Sequence, residues 1–114
     1  MSDCLFCKMA KKIIPVPFVF ENDHIFIIRD INPQAPTHFL AIPKAHYESI
    51  HDVPLSEHAL FQHLYSAIYK VVRKEELGSK GYRLVINSGE SAGQSVAHIH
   101  VHILSGRQLN WPPG

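Results

Sequence analysis

The chain contains 114 residues, of which 46% are hydrophobic and 18% are charged, and its formal net charge is +1. Because domains usually contain about 100–150 residues, we expect a single domain over residues 1–114. The near-neutral charge supplies no long-range attraction to a polyanion, which argues against a nucleic-acid partner. No stretch approaches the roughly 20 apolar residues that span a bilayer, so we also expect no membrane partner.

The N-terminal region contains both cysteines and no targeting pattern. Residues 1–4 provide neither the basic segment nor the apolar run of a secretory signal, so we expect a cytoplasmic protein. Cys4 and Cys7 form a C-x-x-C pair. Structural disulfides are rare in reducing compartments, and the pair therefore favours a metal-binding or redox role.

The first third of the chain predicts one helix followed by two strands. Apolar spacing indicates a short helix over residues 4–14, which Pro15 would end. Residues 16–21 and 24–29 are rich in β-branched and aromatic side chains, which is typical of strands. The turn at residues 22–23 is Asn-Asp, a pair that favours a tight hairpin.

The remainder of the chain predicts a third strand, a long helix and two further strands. After a proline-containing loop, residues 38–42 alternate like a strand that Pro43 stops. A helix with one apolar face follows, with Ser56 as its N-cap and Gly78 at its C-terminal end. This order of strands and helices predicts an α+β domain with helices packed on an antiparallel sheet. The last two strands are predicted at residues 82–87 and 98–105.

Three histidines occupy alternate positions of the last predicted strand. Alternate side chains on a strand share a face, so His98, His100 and His102 should line one face of the sheet. A lone histidine is most often a partly buried, hydrogen-bonded imidazole, but three on one face favour chemistry. Two hypotheses remain: a metal cluster that uses all three imidazoles, or a site in which one imidazole attacks and its neighbours orient it.

The loop before this strand is suited to binding a phosphate. Gly93, Gln94 and Ser95 lead into the strand, and Asn87 ends the strand before it. A glycine-containing turn can direct backbone N–H groups at a phosphate without interference from side chains. A glycine loop alone is weak evidence, but its position beside the histidines favours a phosphoryl group as ligand.

The histidine segment, residues 98–104, resembles the His-φ-His-φ-His-φ-φ signature of the histidine-triad (HIT) superfamily, where φ is apolar. The resemblance is closest to the Hint branch, the histidine triad nucleotide-binding proteins. It implies a HIT-like α+β fold with a five-stranded antiparallel sheet, a short N-terminal helix and one long helix. It also implies a homodimer with a continuous ten-stranded sheet. The other matching segments are residues 30–39, 42–44, 81–83, 87, 93–96 and 106–114.

The resemblance implies hydrolysis of purine nucleoside phosphoramidates through a nucleotidyl-histidine intermediate, with no metal needed for the chemistry. His100 matches the nucleophile, His102 a phosphate-binding neighbour, and His38 a support from the adjacent strand. The matching residues of the phosphate loop would hold phosphate oxygens or assist the leaving group. These are Asn87, Gly93, Gln94 and Ser95, of which Ser95 is also assigned to the catalytic set.

The nucleoside would contact a carboxylate and an apolar pocket. Asp30 matches the residue that binds the ribose. Leu5, Phe6 and Ile31 match positions that sandwich the base, although ordinary core residues would look the same in the sequence.

The C-x-x-C pair resembles the zinc half-site of other histidine-triad relatives. In those relatives the remaining ligands correspond to His46 and His98 here. Together with Cys4 and Cys7 they would form a closed tetrahedral Cys₂His₂ site that holds structural zinc. The alternative is two free thiols with His46 on the surface.

Three functional hypotheses therefore stand. The first is a nucleoside phosphoramidate hydrolase with His100 as nucleophile. The second is a nucleotide- or partner-binding module in which hydrolysis is incidental. The third is a dinucleoside polyphosphate hydrolase, as in the Fhit branch of the superfamily.

Overall fold

Five strands form one antiparallel sheet in the computed structural model, which describes residues 3–114. The spatial order is β1-β2-β3-β5-β4, which confirms the predicted five-stranded α+β architecture. Residues 1 and 2 lie outside the described residues. They belong to the predicted domain and to the N-terminal segment in which the sequence shows no secretory signal. The strands are β1 (Phe20–Glu21), β2 (Ile25–Arg29), β3 (Thr37–Pro43), β4 (Tyr82–Val85) and β5 (Val101–Ser105).

Both faces of the sheet are covered. The long helix α2 (Ala59–Lys74) packs on one face, and the short helix α1 (Leu5–Ala10) packs on the other. Strands β2 and β3 are consequently apolar on both sides, which explains their nearly continuous hydrophobic runs. No helix among the described residues is long and apolar enough to cross a membrane.

Helix α1 is shorter than predicted. Its N-cap is Cys4, whose sulfur accepts the backbone N–H of Cys7 at 3.5 Å. The helix ends at Ala10 because Lys12 adopts a left-handed conformation with φ of 62°. The chain therefore leaves the helix well before Pro15.

Both predicted ends of the long helix were wrong. Ser56 lies in a separate 3₁₀ turn, Leu55–Glu57, and α2 begins at Ala59. At the other end, Glu76 takes the left-handed conformation that separates α2 from a further short helix, α3 (Leu77–Lys80). Gly78 lies within α3 and therefore does not end the long helix.

The last strand begins three residues later than predicted, so of the three histidines only His102 lies within β5. The ladder with β3 ends at Ala41 and Val101. Pro43 has no N–H for a further rung, and the N–H of Ile99 instead bonds the carbonyl of Tyr47 at 2.9 Å. The alternation of faces nevertheless holds through the segment. Ile99, Val101 and Ile103 belong to the core beneath α2.

Candidate active site and metal cluster

His98 is fully buried, and its side chain contacts two different elements. Its Nε2 lies 2.7 Å from the carbonyl oxygen of Pro43, and since a carbonyl can only accept, Nε2 carries the proton. The lone pair is therefore on Nδ1, which lies 3.3 Å from Cys4 Sγ and 3.0 Å from His46 Nδ1. Burial is the main reason that the pKa of His98 is lowered to about 4.

Cys4, Cys7, His46 and His98 bring four ligand atoms within 4.8 Å of one another. Cys7 Sγ lies 3.3 Å from His46 Nδ1 and 3.7 Å from His98 Nδ1. Tetrahedral zinc with bonds of about 2.0–2.3 Å would separate its ligands by roughly 3.3–3.8 Å. The donor set fits a closed Cys₂His₂ site, and its three sulfur–nitrogen distances lie within this range. Burial and the neighbouring Cys4 raise the pKa of the Cys7 thiol, an effect that a bound divalent cation would oppose.

His100 is held in one tautomer. Its Nδ1 lies 2.8 Å from the carbonyl oxygen of His98 and donates its proton there. The other nitrogen, Nε2, has no hydrogen-bond partner among residues 3–114 and keeps its lone pair in the neutral ring. The ring is 4% exposed and packs edge-on against Phe6 at 5.1 Å between centroids. This geometry is suited to nucleophilic attack by Nε2.

His38 and His102 form a hydrogen-bonded pair of defined polarity. The backbone N–H of Gln34 donates to Nδ1 of His38 at 3.0 Å, so the proton of His38 is on Nε2. That nitrogen lies 2.9 Å from Nδ1 of His102, which therefore accepts, and the His102 proton is on its own Nε2. Asp30 Oδ2 also lies 3.4 Å from His38 Nε2. The result is one N–H of His102 free to donate to a phosphoryl oxygen.

Both imidazoles of this pair are neutral near pH 7. Burial lowers the pKa of His38, and the charge of Asp30 partly opposes the shift. Burial, followed by the charges of His100 and His38, lowers the pKa of His102 to about 4. Neutral rings preserve the donor and acceptor directions of the pair.

A cavity of about 350 Å³ lies beside Asp30. It joins Asp30 to Ile31, whose side chain is 99% exposed and forms an uncovered apolar wall. The sequence did not identify the other lining residues. Met9 lies three residues after Phe6, and this helical spacing predicts only that both residues share the buried face of α1. The lining that the sequence missed consists of Met9, Val16, Pro17, Ile28 and Arg29.

The structure does not bring Leu5 and Phe6 to this cavity. Phe6 is 3% exposed and directs its ring at those of His98 and His100. Leu5 lines a different cavity of about 440 Å³, together with Ser95. Contact of Leu5 or Phe6 with a base therefore stays a prediction.

The phosphate loop is compact, and Gln94 spans it. Gln94 Oε1 accepts the N–H of Gly89 at 2.8 Å, and its Nε2 donates to the carbonyls of Glu48 and Val96. Its side chain thus braces the loop rather than facing the histidines. Gly93 has φ of 94°, and a Cβ on it would lie 3.7 Å from the amide nitrogen of Asn87. The structure therefore groups Asn87 with Gly93 and gives Gln94 a supporting position.

The family model of the HIT domain matches residues 11–109 of this chain. The chain belongs to the HIT domain family. The match covers the sheet, the long helix and the three histidines.

Solved structures and a curated relative agree with this HIT assignment over nearly the full chain. A HIT family hydrolase from Legionella pneumophila superposes with a TM-score of 0.94 at 48% identity, covering 98% of this chain and 100% of that one. A histidine triad protein from Clostridium difficile gives 0.92 at 39% identity, covering 96% of each chain. A 14 kDa zinc-binding protein of Zea mays is 49% identical over 99% of this chain and 89% of its own length.

Proposed function

We propose that this HIT domain hydrolyses phosphoramidates of purine nucleoside monophosphates, as the Hint branch does, through a nucleotidyl-histidine intermediate on His100. The observation that carries the proposal is the anchored tautomer of His100. Because its Nδ1–H is bonded to the His98 carbonyl, a lone pair is available at Nε2 without prior loss of a proton. The hydrolase from Legionella pneumophila supports the general class of reaction.

The reaction divides one displacement into two. The Nε2 lone pair of His100 attacks the α-phosphorus, the phosphorus–nitrogen bond of the substrate breaks, and the amine departs with a proton taken from solvent. Water then attacks the same phosphorus and gives a proton to solvent, and the bond from phosphorus to Nε2 breaks, which releases the nucleoside monophosphate and restores neutral His100. The N–H of His102 and the polar groups of Asn87, Gly93 and Ser95 would stabilise the charge that develops on the phosphoryl oxygens.

The cavity beside Asp30 is the best place for the nucleoside. Its apolar walls at Met9, Ile28 and Ile31 suit a purine ring, and the Asp30 carboxylate suits the ribose hydroxyls. Asp30 also lies within reach of His38, so the ribose and the imidazoles would be held by neighbouring groups.

We also propose that Cys4, Cys7, His46 and His98 hold a structural zinc ion. The four donors and their spacing fit zinc, and His98 has the oriented second nitrogen that metal-bound imidazoles usually show. The Zea mays relative is named as a zinc-binding protein. The ion would close the N-terminal segment onto the sheet, and the chemistry at His100 needs no metal.

A homodimer in the cytoplasm is the expected setting. Strand β4 is an edge strand with exposed Tyr82 and Leu84, whereas the opposite edge, β1, has only two residues. Pairing of β4 with its copy would give the ten-stranded sheet and cover that edge. A reducing compartment would keep Cys4 and Cys7 as free thiols that are available to bind zinc.

The test is hydrolysis of adenosine 5′-phosphoramidate by the purified protein. We expect His100→Ala to abolish release of AMP while AMP still binds. His58→Ala is the matched control, because His58 is exposed and outside the site. Turnover retained by His100→Ala would overturn the proposal. Tight AMP binding with negligible turnover of the native chain would favour a binding module, and preference for diadenosine polyphosphates would favour the Fhit-type activity.

A further inference from the structure

The residue between the two cysteines contacts the proposed nucleophile. Phe6 lies on the first turn of α1, between Cys4 and Cys7. Its ring centroid is 5.7 Å from that of His98 and 5.1 Å from that of His100, at interplanar angles of 88° and 73°. Edge-to-face contacts of this kind depend on orientation as well as distance. A segment that supplies two ligand sulfurs therefore also supplies a wall of the nucleophile's pocket.

We infer that Phe6 and His98 are positioning residues that link the Cys4–Cys7–His46–His98 cluster to the orientation of His100. The inference rests on the proposed function and adds a second purpose to the cluster. Closing the cluster fixes the two groups that hold the His100 ring. These are the edge of Phe6 and the carbonyl of His98.

His98 supplies the first half of this link. Its ring is fixed between Pro43 and the sulfur of Cys4, and its backbone carbonyl accepts the Nδ1–H of His100. A shift of the His98 backbone after loss of the cluster would move the carbonyl to which His100 is bonded. The metal ligand and the acceptor for the nucleophile are thus parts of one residue.

Phe6 supplies the second half. Helix α1 has only six residues, and a helix of that length has little stability of its own. Its attachment to the sheet depends on the buried side chains of Phe6 and Met9 and on the two cysteines at its N-terminus. Weakening the cluster should therefore loosen α1 before the sheet. The edge of Phe6 would then no longer define the position of the His100 ring.

A matched pair of substitutions separates positioning from ordinary core packing. Phe6→Leu removes the ring that contacts His100. Phe26→Leu removes the same ring from the same apolar cluster, but Phe26 packs on Phe18 rather than on a histidine. Both substitutions should lower the free energy of unfolding, and only Phe6→Leu should alter the orientation and tautomer of the His100 ring.

The primary readout is the ring ¹⁵N spectrum of histidine-labelled, zinc-loaded protein, with His100 assigned by its absence in His100→Ala. We expect His100 in the native chain and in Phe26→Leu to show a single tautomer protonated at Nδ1. Phe6→Leu, and native protein treated with a strong chelator, should show exchange between tautomers. If the chelated protein unfolds, the comparison of the two zinc-loaded variants still decides the outcome.

Kinetics supply the second readout. We expect Phe6→Leu to lower kcat by about tenfold or more, because small displacements of a reacting group are costly, while Phe26→Leu leaves kcat within about twofold of the native value. An unchanged His100 spectrum in Phe6→Leu, or an equal effect of Phe26→Leu, would overturn the inference. Because the spectra need no substrate, they remain informative even if the proposed activity fails.

Discussion

The carbonyl oxygen of His98 lies 2.8 Å from Nδ1 of His100 and accepts its proton. The same His98 directs its own Nδ1 at Cys4 Sγ, 3.3 Å away. The three histidines of the signature are therefore unequal. His98 belongs to the cluster with Cys4, Cys7 and His46, His100 has the free lone pair, and His102 is linked to His38.

Stability should depend on pH through His102. Its pKa is about 4 in the folded chain, against an ordinary value of 6.5, so between these values the unfolded state binds more protons. Stability should consequently fall as the pH drops from about 6.5 to 4 and stay low below that. In His102→Asn this contribution is absent, and we expect the free energy of unfolding to fall by roughly 2–3 kcal/mol less on acidification than in the native chain. Urea unfolding of both proteins at pH 7, 5.5 and 4.5 measures this difference. An equal fall in the free energy of unfolding in both proteins would contradict a lowered pKa at His102.

Loss of one cluster ligand should weaken zinc binding. Cys7→Ser replaces a thiolate with a poor ligand, and we expect zinc affinity to fall by about tenfold or more. The melting temperature measured with zinc should fall accordingly, because a ligand that binds only the folded state stabilises it. Metal content by mass spectrometry and thermal unfolding provide the measurement. His58→Ala should retain one zinc per chain, and a Cys7→Ser protein that also retains it would exclude this site.

Asp30 should recognise the ribose rather than act only through His38. We expect Asp30→Ala to lower kcat/KM for adenosine phosphoramidate by about tenfold, the effect of losing one charged hydrogen bond. The 2′-deoxy substrate provides the control. If Asp30 binds the 2′-hydroxyl, the substitution should cost much less on the deoxy substrate than on the ribo substrate. Equal costs on both substrates would place its effect at His38, 3.4 Å away.

Two glycines should respond to alanine in opposite ways. Gly106 has φ of 101°, and an added Cβ would lie 2.9 Å from Cβ of Pro36, so Gly106→Ala should destabilise the fold by about 1–3 kcal/mol. Gly78 lies in α3, and no atom within 4 Å would meet its Cβ. Gly78→Ala should therefore be neutral or stabilise by about 0.5–1 kcal/mol. Chemical unfolding of both variants checks the contrast, and a neutral Gly106→Ala would contradict the described turn.

The sequence predicted the elements of the fold well because their patterns are local. The apolar runs of β2 and β3 and the apolar face of α2 can be read without the rest of the chain. Element ends were predicted less well. Ser56 satisfies the preference for an N-cap, yet the chain forms a separate 3₁₀ turn there, and the exit from α2 uses Glu76 in a left-handed conformation that favours glycine.

The site was only partly predictable, because its chemistry depends on contacts between distant segments. Resemblance to the family indicated His38, His100 and the four cluster residues. The direction of each hydrogen bond could not be predicted, since it depends on the carbonyls of Pro43 and His98 and on the N–H of Gln34. The orientation of the Phe6 ring toward the histidines likewise depends on how α1 packs on the sheet.

Rapid-quench mass spectrometry during turnover of adenosine 5′-phosphoramidate tests the central claim most directly. We expect an adenylyl adduct to form within the first turnover, to map to His100 in peptide digests, and to be absent from His100→Ala. Release of AMP in the first turnover with no adduct at any time, or an adduct on another residue, would contradict His100 as the nucleophile.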